Sequence, residues 1–410
     1  MELKTEKRSL VYQSVWKNPG FMFLWSGNAI ATFTFYIFTI SLPLIIYDLT
    51  HSPLAMSSMR AIEFIPNIVL AVFIGVLVDR YHRKKMLMLS VFAQILVLCA
   101  LIVLLYTSTI ELWLIYVLGF TLYTSSYMFG NAFHSTIPNL VPEKQLTEAN
   151  SSITLASSTI EIIGPAFAGM LLLSFNYTNG LFFTMIGFII LFIFTSFVKI
   201  PAHQGIERTK ESKFVDEIKE GWISLRENKD LWALTIVILL TNIAASFTLA
   251  VLIFYSVDIL KLTEAQIGII LGSSAVGGIL AASIAKKSLR YFKRGIIMIL
   301  ALIIDLIGYI LLVFSFTWIL LIIGMFLIGF GGATMGIHYS TLRQSTTPNH
   351  LLGRVAGTSS MLMKLAVPFS FLISGILAEL IDINYIFLIS LVITVTLILY
   401  LSRSSVVKID

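Results

Sequence analysis

A few ionisable side chains interrupt long apolar stretches of the sequence. Glu161 lies about eleven residues into the apolar stretch 150–173, one helical turn before Gly164-Pro165. A charge in such surroundings is unfavourable by several kcal/mol, so the residue needs a reason to be there. A carboxyl group at that depth can take up and release a proton, and we predict proton coupling for Glu161. The alternative is a packing role, with Glu161 hydrogen-bonded to neighbouring helices.

A second charged pair lies in the stretch 54–78. Arg60 and Glu63 are three residues apart, so a helix would place both on one face. They either form a local ion pair that satisfies itself, or they bind protons or substrate at the mouth of a cavity. The sequence leaves both interpretations open. Lys364, in another apolar stretch, is long enough to extend its ammonium group to the membrane surface; the alternative is that it pairs with a buried acid.

The most specific charged motif is Gly-x-x-x-Asp-Arg-x-x-Arg, formed by Gly75, Asp79, Arg80 and Arg83. Gly75 would allow another helix to approach closely. Asp79 is an anion that can pair with a cation or cap the N-terminus of a facing helix. Cations alone would occur in any short cytoplasmic loop, so the specificity of this motif comes from Asp79 and from the spacing.

A predicted hinge follows Glu161 in the same stretch. Pro165 removes one hydrogen bond from a helix, and Gly164 and Gly169 leave room for close packing. This helix is therefore expected to bend.

The elements that position these residues must lie in a membrane. Of the 410 residues, 57% are hydrophobic and only 12% are charged, about half the charged share of soluble proteins. This composition excludes a soluble enzyme, a secreted domain and a disordered chain. The formal charge of +6 does not require nucleic acid, because cytoplasmic loops of membrane proteins collect Lys and Arg. The single cysteine, Cys99, excludes an intrachain disulfide and a Cys-based metal site.

Apolar stretches of about 20 residues, the length that crosses a bilayer, recur along the chain. We predict an all-α membrane protein with twelve transmembrane helices in two six-helix bundles, 21–200 and 231–402. The predicted spans are 21–47, 54–78, 86–106, 112–133, 150–173, 181–199, 231–257, 265–285, 295–314, 317–340, 355–379 and 384–402.

The distribution of cations predicts the orientation. With the N-terminal segment 1–20 inside, the cytoplasmic segments hold 25 of the 28 Lys and Arg, and the outer loops hold only Lys261. The positive-inside rule then places both termini, 1–20 and 403–410, in the cytoplasm. Segment 1–20 is polar, and no cleavable signal peptide is expected.

The segment 201–230 divides the chain near its middle. It carries Phe214, Ile218, Trp222 and Leu225 at helical spacing among charged residues, which predicts an amphipathic helix on the cytoplasmic face. The alternative is a solvated linker.

Weak internal similarity supports a duplication of six spans. Pro142 and Pro348 are 206 residues apart, as are Gly169 and Gly375. Two homologous bundles enclose a cavity that can open to either side when they rock, which is how a transporter works.

The sequence resembles the major facilitator superfamily, in which the loop after the second helix has the motif found at Gly75–Arg83. The resemblance covers essentially the whole chain and is strongest to multidrug-type exporters of the macrolide-efflux and enterobactin-exporter group. Further matching segments are Leu24-Trp25-Ser26-Gly27-Asn28, Leu49-Thr50-His51-Ser52-Pro53-Leu54-Ala55, Ile137-Pro138-Asn139-Leu140-Val141-Pro142 and Leu352-Gly353-Arg354-Val355.

The resemblance implies a gate at the inner side. There Asp79 latches the two halves when the cavity faces outward, with Arg80 and Arg83 as partners within the motif and Arg354 across the halves. Gly164-Pro165 resembles the core of the antiporter motif of such exporters. The upstream glycines of that motif are absent, and Ser157 and Ser158 lie in that stretch instead.

In this family, spans one, four, seven and ten line the cavity, and the third helix of each triplet lies outside it. The latter position favours a structural role for Asp305. Aromatic and amide side chains on the lining spans favour a bulky apolar or amphipathic ligand over a sugar. The predicted lining residues are Trp25, Asn28, Tyr36, Tyr123, Tyr127, Asn131, Asn242, Phe247 and Tyr255.

The resemblance implies a proton-coupled antiporter that exports hydrophobic or amphipathic compounds from the bacterial cell, and not an enzyme. We expect the plasma membrane as its location and lipid, substrate and protons as its partners. A monomer without metal, cofactor or nucleic acid is expected. A siderophore exporter, a lysophospholipid transporter and a non-transporting receptor or scaffold stay open as alternatives.

Overall fold

A computed structural model describes residues 14–69, 82–200 and 214–409 of the chain, and this part is helical without a strand. Fourteen α-helices occur in the described part. They are α1 Pro19–Thr50, α2 Pro53–Val69, α3 Arg83–Tyr106, α4 Leu112–Leu140, α5 Leu146–Ser174, α6 Tyr177–Phe197, α7 Phe214–Glu227, α8 Lys229–Phe254, α9 Glu264–Ser288, α10 Arg294–Val313, α11 Trp318–Thr346, α12 Leu352–Leu365, α13 Val367–Leu380 and α14 Ile383–Ser402.

Eleven candidate membrane spans occur in the described residues, with α12 and α13 counted together as 352–380. The chain is therefore a multi-pass membrane protein. The predicted second span, 54–78, is described only as α2, 17 residues long. The count of twelve thus stays a prediction.

Several helices extend beyond the predicted spans because polar residues at their ends remain helical. α4 continues to Leu140 through Pro138, and α11 continues to Thr346. Polar side chains cap several of the helix starts. The Asn18 and Asn228 side chains accept hydrogen bonds from the first turns of α1 and α8, and Thr263 with Gln266 forms a capping box at α9.

The helices α1–α6 and α8–α14 form two groups that meet along two seams. One seam joins α5 to α9, and the other joins α2 to α13. α2 and α9 are the second spans of their groups, whereas α5 and α12–α13 are the fifth. Each seam therefore pairs the second span of one group with the fifth span of the other. A pseudo-two-fold axis between duplicated halves would give this pairing.

The two ends of the helix bundle differ in charge. The basic end, as we call it, carries Lys17, Arg83, Lys144, Arg294 and Arg354, and the acidic end carries Asp48, Glu111, Asp258, Glu264 and Glu379. Successive helices run between these ends in alternating directions.

Helix α7 lies at the basic end and packs on α12. Gly221 contacts the Arg354 backbone so closely that an added Cβ would lie 2.7 Å from its carbonyl oxygen. Leu225 is fully buried against the second group of helices. This amphipathic helix covers the beginning of the eleventh predicted span, while residues 201–213 lie outside the described part.

Candidate functional site

The two halves touch closely at the acidic end of both seams. On the first seam, a side chain added at Gly169 would overlap the backbone of Glu264 and Ala265. On the second, one added at Gly375 would overlap Ser57 and the backbone of Leu54. Glycine thus allows helix backbones to meet where larger residues would separate the halves.

Hydrogen bonds between the halves reinforce this closure. The Tyr47 hydroxyl donates to Asp258 Oδ1 over 2.8 Å, and the Tyr177 hydroxyl donates to Glu264 Oε1 over 3.3 Å. The Ser52 hydroxyl donates to a Glu379 carboxylate oxygen. Each bond joins a residue of the first half to a carboxylate of the second, so the acidic end is closed in this conformation.

Asp258 is held in a π-helical turn, Tyr255–Ile259, that follows α8. Lys261 lies 3.5 Å from the same carboxylate oxygen that accepts from Tyr47. Such turns inside helices are frequent at functional sites. Here the turn positions a carboxylate against the other half.

A cavity of about 330 Å³ lies between the halves, away from the closed end. It brings together Glu161, predicted for proton coupling, and the pair Arg60 and Glu63, for which binding of protons or substrate was one of two interpretations. The remaining wall is made by both halves: Tyr36, Thr39, Ile40, Phe64 and Pro165 from the first, and Leu249, Leu271, Ser274, Ala275 and Phe371 from the second.

Arg60 and Glu63 form an ion pair in this cavity, with 3.2 Å between Arg60 Nη1 and Glu63 Oε2. Their side chains are 19% and 27% exposed. Glu161 is exposed to the cavity and makes no hydrogen bond or ion pair with a residue that the structure describes. The described wall therefore has one cation and two acids, and it carries one net negative charge when both acids are ionised.

A second cavity of about 500 Å³ lies beside α4 and shares Glu63 with the first. Three predicted residues, Tyr123, Tyr127 and Asn131, line it. Sequence reasoning did not predict five other residues that line this cavity: Phe35, Asn67, Ser126, Gly130 and His134. Of these, His134 could have been found, because it follows Tyr127 and Asn131 at helical spacing on α4.

Other predicted cavity residues lie elsewhere. Tyr255 is buried at the acidic end and donates to the Ser315 carbonyl over 2.7 Å, and Phe247 is buried in the apolar core. The Asn242 amide donates to the Met363 carbonyl of α12 over 3.0 Å. These three are packing residues in this conformation.

The two remaining predicted lining residues are on α1. The Trp25 ring packs edge-on against Trp16, with 5.0 Å between ring centroids. Asn28 is half-buried three residues further along. Neither residue lines the two cavities described above.

The predicted gating motif is only partly described. Gly75, Asp79 and Arg80 lie outside the described residues, and Arg83 begins α3. Arg354 forms an ion pair with Glu220 of α7. Sequence reasoning missed Glu220, because the pairing depends on how α7 docks on α12.

The predicted hinge does not interrupt α5, which is one helix from Leu146 to Ser174 with Pro165 inside it. A bend at Gly164-Pro165 stays a prediction. Gly164 faces the Tyr36 ring, and the Pro165 carbonyl contacts Gly268 across the seam. An interruption that the sequence analysis did not identify separates α12 from α13 at Ala366. It precedes Pro368, which cannot donate a backbone hydrogen bond.

Comparison with known proteins decides the family. The family model of the Major Facilitator Superfamily matches residues 24–370. The chain belongs to the major facilitator superfamily. This transporter is 27% identical to macrolide efflux protein A of Streptococcus pyogenes over 380 residues, which cover 90% of this chain and 92% of the relative. It is also 27% identical to macrolide efflux protein A of Enterococcus faecalis over 321 residues, 76% of this chain and 97% of that one.

Solved structures agree on the fold of this major facilitator transporter. A bacterial homologue of the iron transporter ferroportin, solved in an inward-facing state, aligns with a TM-score of 0.74 at 16% identity. The alignment covers 94% of this chain and 99% of the other. The family and these neighbours are transporters, and the protein is not an enzyme.

Proposed function

We propose that the protein is a proton-coupled exporter of hydrophobic or amphipathic compounds, of the macrolide-efflux type, and works by alternating access in the cell membrane. The observation that carries the proposal is the cavity between the halves, in which Glu161 lies exposed beside the Arg60–Glu63 pair. The basic end faces the cytoplasm in this proposal because Lys and Arg are retained there.

The walls of the central cavity support an amphipathic substrate. Tyr36, Phe64 and Phe371 supply aromatic surface, and Leu249 and Leu271 supply aliphatic surface. Glu161 is a negative group among them that makes no ion pair with a described residue, and it suits a basic nitrogen on the substrate. The relatives named macrolide efflux protein A support a large organic substrate.

Glu161 supplies a physical reason for coupling. An ionised Glu161 leaves the described cavity wall with a net negative charge, and a protonated one neutralises it. Closing the cavity around an unpaired charge is unfavourable in a membrane, so the halves rearrange more readily when a proton or a cationic substrate compensates Glu161. Inward movement of protons can then reset the transporter after it releases substrate.

The test compares Glu161→Gln with wild type in a bacterium that lacks its own drug pumps. Glutamine keeps the shape of the side chain but cannot exchange a proton. We expect macrolide or dye accumulation in wild-type cells to be about tenfold lower than in vector controls; a tenfold ratio corresponds to about 1.4 kcal/mol. A protonophore and Glu161→Gln should each abolish that difference.

Glu143→Gln is the matched control, because Glu143 is exposed in a turn at the basic end. It should behave as wild type. Equal accumulation in wild type and Glu161→Gln, unaffected by the protonophore, would refute the proposed coupling.

A further inference from the structure

A second acid, Asp305, is buried in the middle of α10. The residue is 5% exposed, and its Oδ1 atom has no hydrogen-bond partner. It forms no ion pair with a cation in the described part of the chain. An ionised carboxylate in such a place is strongly unfavourable, so burial favours the neutral, protonated form.

The carboxyl group occupies a gap that a glycine creates. A side chain added at Gly331 of α11 would overlap Asp305 Oδ1 and lie 2.7 Å from the Ala301 carbonyl oxygen. The carboxyl therefore lies directly against the backbone of α11. A packing role alone would be filled as well by an apolar side chain, which would leave no polar atom unpaired.

On the other side, α11 is open to the space between the halves. It contacts α8 through the Tyr339–Thr235 hydrogen bond and α9 through Gly329, which touches the Ser274 backbone. At 3.6 residues per turn, Gly332 and Gly336 lie between these two sides, and an added Cβ would meet no atom within 4 Å at either. α8 and α9 are the helices that reach α2 and α5 of the first half, so this open side of α11 faces the first half.

A glycine-rich stretch of α11, 329–332, therefore lies between Asp305 and the space between the halves. Glycine lowers the resistance of a helix to bending, because it has no side chain to pack and a larger backbone entropy. A bend or a small rotation of α11 at this stretch would bring water to the carboxyl group.

No other ionisable group described near Asp305 is placed to bind and release a proton there. Tyr309 lies one turn along on α10 and is buried. On α11 the ionisable groups are His338, Tyr339 and Arg343, all at least seven residues beyond Gly331 toward the basic end. α14, which also packs on α10, has none between Tyr385 and Tyr400.

We propose that Asp305 is a second proton-binding carboxyl group, which releases its proton to water between the halves when α11 bends at 329–332. The carboxylic acid loses its O–H bond, the proton passes to water, and the carboxylate remains until the proton returns. This inference rests on the proposed proton coupling and assigns a proton site to the second half, whereas Glu161 lies in the first.

The test uses the full-length protein in liposomes with two readouts. One is substrate transport driven by a pH gradient, and the other is exchange of labelled for unlabelled substrate, which needs no net proton movement. Asp305→Asn imitates the protonated acid permanently. We expect it to lower gradient-driven transport about tenfold and to keep exchange within about twofold of wild type, whereas Asp382→Asn, at an exposed helix cap, changes neither.

A third readout uses the wild type and does not depend on how the variant folds. Dicyclohexylcarbodiimide reacts with protonated carboxyl groups in apolar surroundings, and peptide mass spectrometry locates the product. We expect labelling at Asp305 that falls as the pH is raised. Absence of such pH-dependent labelling, or gradient-driven transport by Asp305→Asn at the wild-type rate, would overturn the inference.

The same liposomes distinguish the two proposals. If Glu161→Gln loses gradient-driven transport and Asp305→Asn keeps it, only the role of Asp305 is refuted. If both variants keep it, the proposed proton coupling itself is refuted.

Discussion

Arg60 and Glu63 show how two charged residues that are close in sequence are arranged in the structure. Their spacing predicted that both lie on one helix face, with an ion pair as one of two interpretations, and the pair is present with 3.2 Å between Arg60 Nη1 and Glu63 Oε2. Sequence left open whether the pair neutralises itself or binds ligands. The structure adds that Glu63 lines both cavities and that Arg60 lines the central one.

We expect the pair to act as a neutral unit. Arg60→Gln alone leaves Glu63 without its cation beside Glu161, which should reduce substrate export about tenfold. The double variant Arg60→Gln, Glu63→Gln restores the net charge of the described wall and should recover export to within about threefold of wild type. Cellular accumulation of a fluorescent substrate measures both. A double variant as impaired as the single one would show that the charges themselves bind substrate or protons.

The predicted lining residues occupy different places in the structure. Tyr36, Tyr123 and Tyr127 line cavities, as the family resemblance implied. Tyr255 and Phe247 share the same residue chemistry but face the core, because rotation of α8 about its axis is set by packing against other helices.

At the scale of helices, apolar length predicted most of the helices, and local caps fix several of their ends. The Thr263–Gln266 capping box is present, because both of its hydrogen bonds are local. The break between α12 and α13 at Ala366 was missed, because a proline in a membrane helix need not interrupt it. Pro165 demonstrates this, since α5 continues through it.

The α5–α9 seam yields a prediction for stability. Gly169→Ala would place a methyl group on the Glu264 backbone, and overpacking of this kind destabilises by about 1–3 kcal/mol. We expect the melting temperature of the purified protein to fall by about 2 °C or more.

Gly130→Ala is the matched control, since Gly130 also lies in a membrane helix but has no atom within 4 Å of an added Cβ. It should keep or raise the melting temperature, because alanine favours helix by about 1 kcal/mol. Equal melting temperatures for the two variants would contradict close contact at the seam.

For the whole molecule, hydrogen bonds at the acidic end hold the halves together in this conformation. Tyr47→Phe removes the bond to Asp258, worth about 1 kcal/mol, and should open the acidic end roughly fivefold more often. In a background with Cys99→Ala, a cysteine introduced by Ser274→Cys in the central cavity reports this opening. Its labelling rate by an impermeant maleimide from the acidic side should rise by the same factor.

Tyr106→Phe provides the control for that experiment. The Tyr106 hydroxyl donates to Asn179 over 2.9 Å at the same end, but both residues belong to the first half. Its loss should leave the labelling rate unchanged. A Tyr47→Phe rate equal to that of the control would show that this bond does not hold the halves closed.

Sequence predicted the membrane class, most helices and the family, since these depend on composition, apolar length and motifs. It could not predict which end is closed. That property depends on contacts such as Gly375 with Ser57, between residues more than 300 positions apart in the chain. Nor could it assign Glu220 to Arg354, because the pair forms only when α7 docks on α12.

The central claim, that Glu161 couples substrate export to protons, is tested most directly by proton movement in liposomes that contain the purified protein. A substrate gradient imposed across wild-type liposomes should drive protons in the opposite direction, detected by a pH-sensitive dye. With Glu161→Gln, the same gradient should move no protons above the protein-free background. Proton movement by Glu161→Gln at the wild-type rate, or none by an active wild type, would contradict the account.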